Sequence, residues 1–340
     1  MGRSPEDLAI FIGRRLLQLI PVLLGVIILT FLITHVAAIN PCPRWYPKAH
    51  QAIVNCEASL AQPLLTQFVH YFVPLLQGNW GASQLGTPVL PQIVQAVPAT
   101  FELVVAALFL MIVIGIPLGV IAAQYAGRWP DHLVRIFYLS GWASPTYVVS
   151  IIAFVYLAKP LGLPTSSGDF SVLNPPFHQW THMSVVDALL AGNLQYTVDA
   201  LSHLALPAAV LAFINMGIAT RMTRTSMLEV LPLDYVKAAR MKGLSNFTVL
   251  FRHALRNALI TTTTVLGVTA GGLLASTVVI EEVFGWPGIG QYAFNSFGAT
   301  GEPNFDGSIA VVVVFAIAVV IANLIADILY GVLDPRVEWR

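Results

Sequence analysis

The residues that could do chemistry are few. GWPGIG, residues 285–290, has glycines spaced as in a phosphate-cradling loop. No Gly-Lys dipeptide occurs in the chain, so a G-x-x-x-x-G-K-[ST] loop is absent and any ATP hydrolysis must come from a partner. Because GWPGIG follows a long apolar run, a turn capping or re-entering a membrane explains it better. His178 and His182 have i, i+4 spacing in HQWTH but lack the Glu of H-E-x-x-H, and no metal site is expected. Nor does any nucleophile with its base suggest catalysis, so the catalytic set is empty. Acidic residues at the ends of apolar runs remain. Glu102 and Asp327 are expected to bond neighbouring helices, whereas Glu281 and Glu282 could form an external gate or attract a cationic amine. Cys42 and Cys56 fall together in one polar segment, where a disulfide and two free thiols both stay open.

The most unusual stretch is DYVKAARMKGLSN, residues 234–246, a basic helix-like segment in a chain with only 10% charged residues. Asp234 is placed to cap it by accepting amide hydrogens of the next turn. From Tyr235 through Ala238, Ala239, Arg240 and Met241 to Lys242 good helix formers predominate, and Gly243 offers a left-handed stop before Leu244. A second short helix is expected over about 246–257, carrying Arg252, His253 and Arg256. A basic helix lying on anionic lipid would have similar charge. Adjacent Ala238 and Ala239 instead suggest a low, flat face that a protein partner could approach closely.

The elements around this segment belong to a membrane. The 340 residues carry no net charge, are 56% hydrophobic and have a mean hydropathy of +0.75. Soluble domains average about 25% charged residues. Six apolar runs, roughly 16–38, 100–124, 134–158, 203–221, 258–280 and 308–331, are each close to the ~20 residues that span a bilayer. The first is longer than a signal-peptide core of ~7–15 residues, which favours a retained helix. A cytoplasmic N-terminus leaves only Arg44, Lys48 and Lys159 of the 17 Lys and Arg outside. The expected fold is therefore an all-α integral membrane protein with six transmembrane helices and both termini cytoplasmic. Residues 1–15 and 332–340 would be cytoplasmic ends, 39–99 an external loop, and 100–331 a five-helix core interrupted by a cytoplasmic loop at 222–257. Positive-inside bias explains the basic cluster around that loop better than nucleic-acid binding does.

The run DYVKAARMKGLSNFTVLFRHALRNAL resembles the coupling-loop signature of permease subunits in binding-protein-dependent ABC importers, within the dipeptide/oligopeptide/nickel branch. RRLLQLIPVLLGVIILTFLI, PATFELVVAALFLMIVIGIPLGVIAA, ASPTY (143–147), VVIEEVFGWPGIGQ and NLIADILYGVLDPRV extend the likeness, in order, across nearly the whole chain. AAINPCP replaces the family's Pro-Gly-Asp-Pro-like turn, and Lys237 stands where importers in general have Glu. The resemblance implies a type I importer permease fold in the inner membrane, with Asp234 to Gly243 as a coupling helix. It also implies as partners a second homologous permease, two ATPase subunits that bind ATP and Mg, and an external binding protein. Peptides would be the cargo, with oligosaccharides or nickel chelates as alternatives. Ser144, Thr146, Asn215 and Ser276 are the candidate polar residues of the path. A stand-alone secondary transporter or channel would instead need mid-membrane carboxylates, and none is well placed.

Overall fold

The computed structural model describes residues 5–35, 61–82, 87–164, 168–171, 175–297 and 305–333. Cys42 and Cys56 lie outside the described residues, as do the side chain of Asp327 and the chain's last residues. Among the described residues no β-strand forms; the chain is a set of helices. They are α1 (Pro5–His35), α2 (Leu64–Leu76), α3 (Val89–Gln124), α4 (Trp129–Ala143), α5 (Thr146–Leu157), α6 (Ser184–Leu190), α7 (Leu194–Val230), α8 (Asp234–Met241), α9 (246–284), α10 (Ile289–Ser296) and α11 (Phe305–Leu333).

Three of these helices are long and apolar enough to cross a membrane, or up to five spans result if each bent pair counts as one. Two exceed their expected limits. α3 begins at Val89 rather than near Thr100, and α7 runs from Leu194 to Val230 rather than from 203 to 221. At ~1.5 Å per residue each is about 55 Å long, well beyond a ~30 Å hydrocarbon core, so their ends project into the flanking aqueous layers. Hydropathy marks only the part in lipid, which is why the sequence underestimates both. The third run is not one straight rod either. α4 and α5 meet at Ser144-Pro145 with a bend of 107°. Proline lacks an amide hydrogen and pushes the residue before it out of helical geometry, and Ser144 is accordingly extended at φ −87, ψ 138. Its hydroxyl donates back to the Ser140 carbonyl at 2.6 Å, satisfying a group left open by the break.

α7 is the central post. It packs on α3, α4 and α9, and α9 packs in turn on α11, with α1 against α11 at the edge. The α3–α7 contact is close because Gly119 faces Thr223; a Cβ on Gly119 would sit 2.6 Å from that of Thr223. Small residues that let backbones approach are the usual basis of helix association in lipid, where no hydrophobic drive remains between helices. The inner sides of these helices form one buried cluster that includes Leu103, Met111, Leu211, Leu273 and Trp286. Their outer sides expose Leu17, Phe101, Phe109, Ile136 and Tyr156, the apolar surface that a bilayer covers.

Candidate functional site: the α8 segment and the buried carboxylates

At the C-terminal end of α7, Pro232 ends the helix, and Leu233 turns the chain, its amide bonding the Val230 carbonyl at 3.1 Å. Leu233, not Asp234, occupies the N-cap position of α8, and no side chain caps it. Asp234 instead lies in the first turn, almost fully exposed, with Lys237 Nζ 3.0 Å from its Oδ1. It still favours the helix electrostatically, since a carboxylate there faces the positive end of the dipole. The expected stop is present: Gly243 has φ +76, and its amide bonds the Arg240 carbonyl at 3.0 Å. Nothing lies within 4 Å of where its Cβ would be, so only backbone conformation requires glycine here.

The alanine face turns inward. Ala239 is buried and Ala238 half-buried, and Ala239 joins Val236 in a cluster with Val120 and Ala123 of α3, Met227 of α7, and Val249, Leu250, Ala254 and Ala258 of α9. Ala239 and Val236 therefore seat α8 on the protein's own helices, a correction to the reading of the alanine pair as a partner surface, with only Ala238 left partly open. Periodicity shows that two alanines share part of a face, but not what that face meets. The surface left outward holds Leu233, Tyr235, Met241, Leu244 and Phe247, with Met241 82% and Phe247 71% exposed. Lys237, Arg240 and Lys242 flank them, also exposed. Phe247 stacks on Phe251 with ring centres 4.6 Å apart, and Tyr235 accepts a hydrogen bond from Asn257 Nδ2 at 2.6 Å. No separate second helix follows. Ser245 caps a new helix through the Thr248 amide, and that helix, widened to a π-turn over Val249–Ala254, continues as α9. α8 is thus joined along the chain to α7 and α9 and packs on these two and on α3.

A carboxylate anchors this end. Asp131, at the start of α4, is fully buried; it accepts from Arg224 Nε at 2.8 Å and Arg224 Nη2 at 2.9 Å, from Arg135 at 3.2 Å, and from the Gly127 amide at 2.9 Å. It joins the α3–α4 turn to α7. The sequence reading missed it. The i, i+4 spacing of Asp131 and Arg135 was visible, but the stronger partner, Arg224, is remote in sequence.

The opposite end is anchored by two more. Glu281 is fully buried, accepting from Thr100 Oγ1 at 2.8 Å and from the amides of Gly290 at 2.7 Å and Gln291 at 3.1 Å. The Thr100 hydroxyl accepts from the Ile289 amide, and Trp286 Nε1 donates to the Ala99 carbonyl, both at 2.8 Å. GWPGIG is therefore a turn that leads into α10 and is tied to α3. An exposed gate role does not suit Glu281, whose oxygens are occupied by the protein itself; Glu282 beside it is half-buried. Glu102, also buried, accepts from the amides of Ser184 and Val185, both at 2.9 Å, and from Ser184 Oγ at 3.0 Å. It caps the N-terminus of α6 from a neighbouring helix.

The four polar candidates for a path stay apart. Ser144 and Thr146 flank the α4–α5 break, Asn215 lies on α7 and Ser276 on α9, all half-buried. Asn215 Nδ2 donates to the Leu211 carbonyl of its own helix, and among the described hydrogen bonds none joins any two of the four.

Residues 115–339 match the family described as the inner membrane component of binding-protein-dependent transport systems. The chain belongs to this family. Its membership makes it a multi-pass inner-membrane transport subunit. It is 40% identical over 330 residues to a probable D,D-dipeptide transport system permease of Escherichia coli K12, covering 95% of this chain and 96% of the relative. A dipeptide transport permease of the same organism is 34% identical over 97% of this chain and 99% of its own length. An oligopeptide transport permease of Bacillus subtilis is 34% identical, with 98% and 100% covered. Among solved structures, an inward-facing MetNI methionine ABC transporter superposes with a TM-score of 0.53 at 18% identity, covering 72% of this chain and 97% of that one. That likeness shows a shared fold. The family match starts within α3, while the alignments with the transport permeases, over 95–98% of this chain, extend well beyond it.

Proposed function

We propose that the chain is the membrane-spanning half of a peptide importer driven by ATP hydrolysis on partner subunits. In this reading α1, α3, the α4–α5 pair, α7, α9 and α11 are six spans, and both chain ends are cytoplasmic. The basic residues support that sidedness, since 222–257 holds Arg224, Lys237, Arg240, Lys242, Arg252 and Arg256. A second, homologous permease completes the path, two ATPase subunits bind ATP and Mg, and an external binding protein delivers cargo. Peptides are favoured as cargo because relatives aligned over nearly their full length carry dipeptide or oligopeptide transport in their names.

One observation carries the proposal. α8 is fixed to α3, α7 and α9 by buried Val236 and Ala239, yet leaves Tyr235, Met241, Leu244 and Phe247 uncovered among cations. An apolar patch with a basic rim, on a rigid base, suits a cleft on another protein. Motion of that cleft would move three long helices together. The test is peptide-stimulated ATPase activity in the assembled, reconstituted importer. Met241→Glu with Phe247→Glu should abolish stimulation and uptake while the complex still inserts in the membrane. Full stimulation in that double variant would refute the proposal.

A further inference from the structure

α2 lies in the segment expected to be an external loop, and its surface is unlike one. No Asp, Glu, Lys or Arg occurs from residue 58 to residue 101. α2 itself reads LLTQFVHYFVPLL and has no buried residue. One side docks on the first span: Phe68 meets Phe31 of α1 edge-on at 5.3 Å, and Tyr71 lies 5.9 Å from the same ring. The other side exposes Leu65 at 75%, Val69 at 45%, Val73 at 42% and Leu76 at 69%. Their spacing of four, four and three residues makes a single stripe along the helix.

We infer that α2 is a membrane-lying helix, with this stripe seated on the acyl chains of outer-leaflet phospholipid. The inference rests on the sidedness proposed above. Three observations favour lipid over water or a protein partner. The stripe is purely aliphatic and carries no charge. The helix that carries it docks through Phe68 and Tyr71 on α1, a helix that itself exposes Ile28, Leu29 and Leu32. Polar and aromatic residues of the kind found at headgroup level lie on and just after α2: His70, Tyr71, Asn79 and Trp80 line a cavity of about 170 Å³ against Ile309 and Ala310 at the start of α11. A 13-residue helix is too short to cross the bilayer, but suits lying in its surface with one apolar face down. It would widen the footprint of the first span on the outer side, where the family match does not reach.

The test uses the assembled importer in phosphatidylethanolamine–phosphatidylglycerol vesicles. Cys42 and Cys56 are replaced by serine, and single spin labels are placed at Leu65→Cys, Val69→Cys, Val73→Cys and, for contrast, Gln77→Cys. Collisions with oxygen should exceed those with a water-soluble nickel chelate at the first three sites, with the reverse at Gln77. Chelate collisions dominating along the stripe, or a label screened from both reagents as in a protein interface, would overturn the inference. A second measurement needs no substitution: a phospholipid with a diazirine near its acyl terminus, confined to the outer leaflet, should label the α2 peptide in the native complex. Labelling only from the inner leaflet would overturn both the inference and the sidedness beneath it. Peptide uptake by the same vesicles, measured separately, reports on the importer reading itself.

Discussion

The two ends of the helix bundle are held differently. Near the end of α9 and in the first half of α3, buried Glu281 and Glu102 accept backbone amides from α10 and α6, so carboxylates stitch small caps to the long helices. At the other end, Asp131 locks long elements to each other, while α8 is seated mainly by apolar side chains, with one hydrogen bond from Asn257 to Tyr235, and keeps a broad face uncovered. The difference separates closure from transmission. A cap tied by amide-to-carboxylate bonds has one geometry and resists sliding, because each broken bond would leave a desolvated donor. A helix seated on small and branched apolar side chains moves as one body with its base, leaving its outer face for a partner.

Four substitutions would break or sharpen this contrast. Glu281→Ala should do the most damage. It removes the acceptor of two buried amides and one hydroxyl, at about 3–5 kcal/mol in all, seen as loss of folded protein or a large drop in Tm. Val236→Asp places a charge in the seat of α8, costing about 2–4 kcal/mol by lost apolar burial and unpaired desolvation. Uptake should fail there even where some folded complex survives. Asp131→Asn loses the forked pairing with Arg224, whose side chain keeps some water contact, and about 2 kcal/mol is expected from thermal denaturation. The smallest effect is Gly243→Ala, about 1 kcal/mol from the left-handed backbone alone, since the site has room for the methyl group. A Gly243→Ala loss as large as that of Val236→Asp would mean that the α8 stop has a steric partner of its own.

Local signals were legible in the sequence. Gly243 marked the end of α8 to within two residues, because a left-handed residue acts through its own backbone, whereas the run at 134–158, expected as one span, is broken at Ser144-Pro145. Asp234 was misplaced by one position, since an exposed carboxylate can serve a helix start from the cap or from the first turn. Long-range pairings were not legible. Thr100 with Glu281, Asp131 with Arg224, and Glu102 with Ser184 each join residues that no spacing rule connects. The direction of the Ala238–Ala239 face failed for a related reason: small side chains suit both a partner's approach and the protein's own packing. α2 escaped notice because its apolar stretch is shorter than a span.

The central claim is that the uncovered face of α8 meets an ATPase subunit. Its most direct test is a photo-crosslinking amino acid at Met241 in the assembled importer, with one at Val236 for contrast. Met241 should crosslink to the ATPase subunit and Val236 only within its own chain. Crosslinks from Met241 to lipid alone, with none to the ATPase in any nucleotide state, would contradict the account.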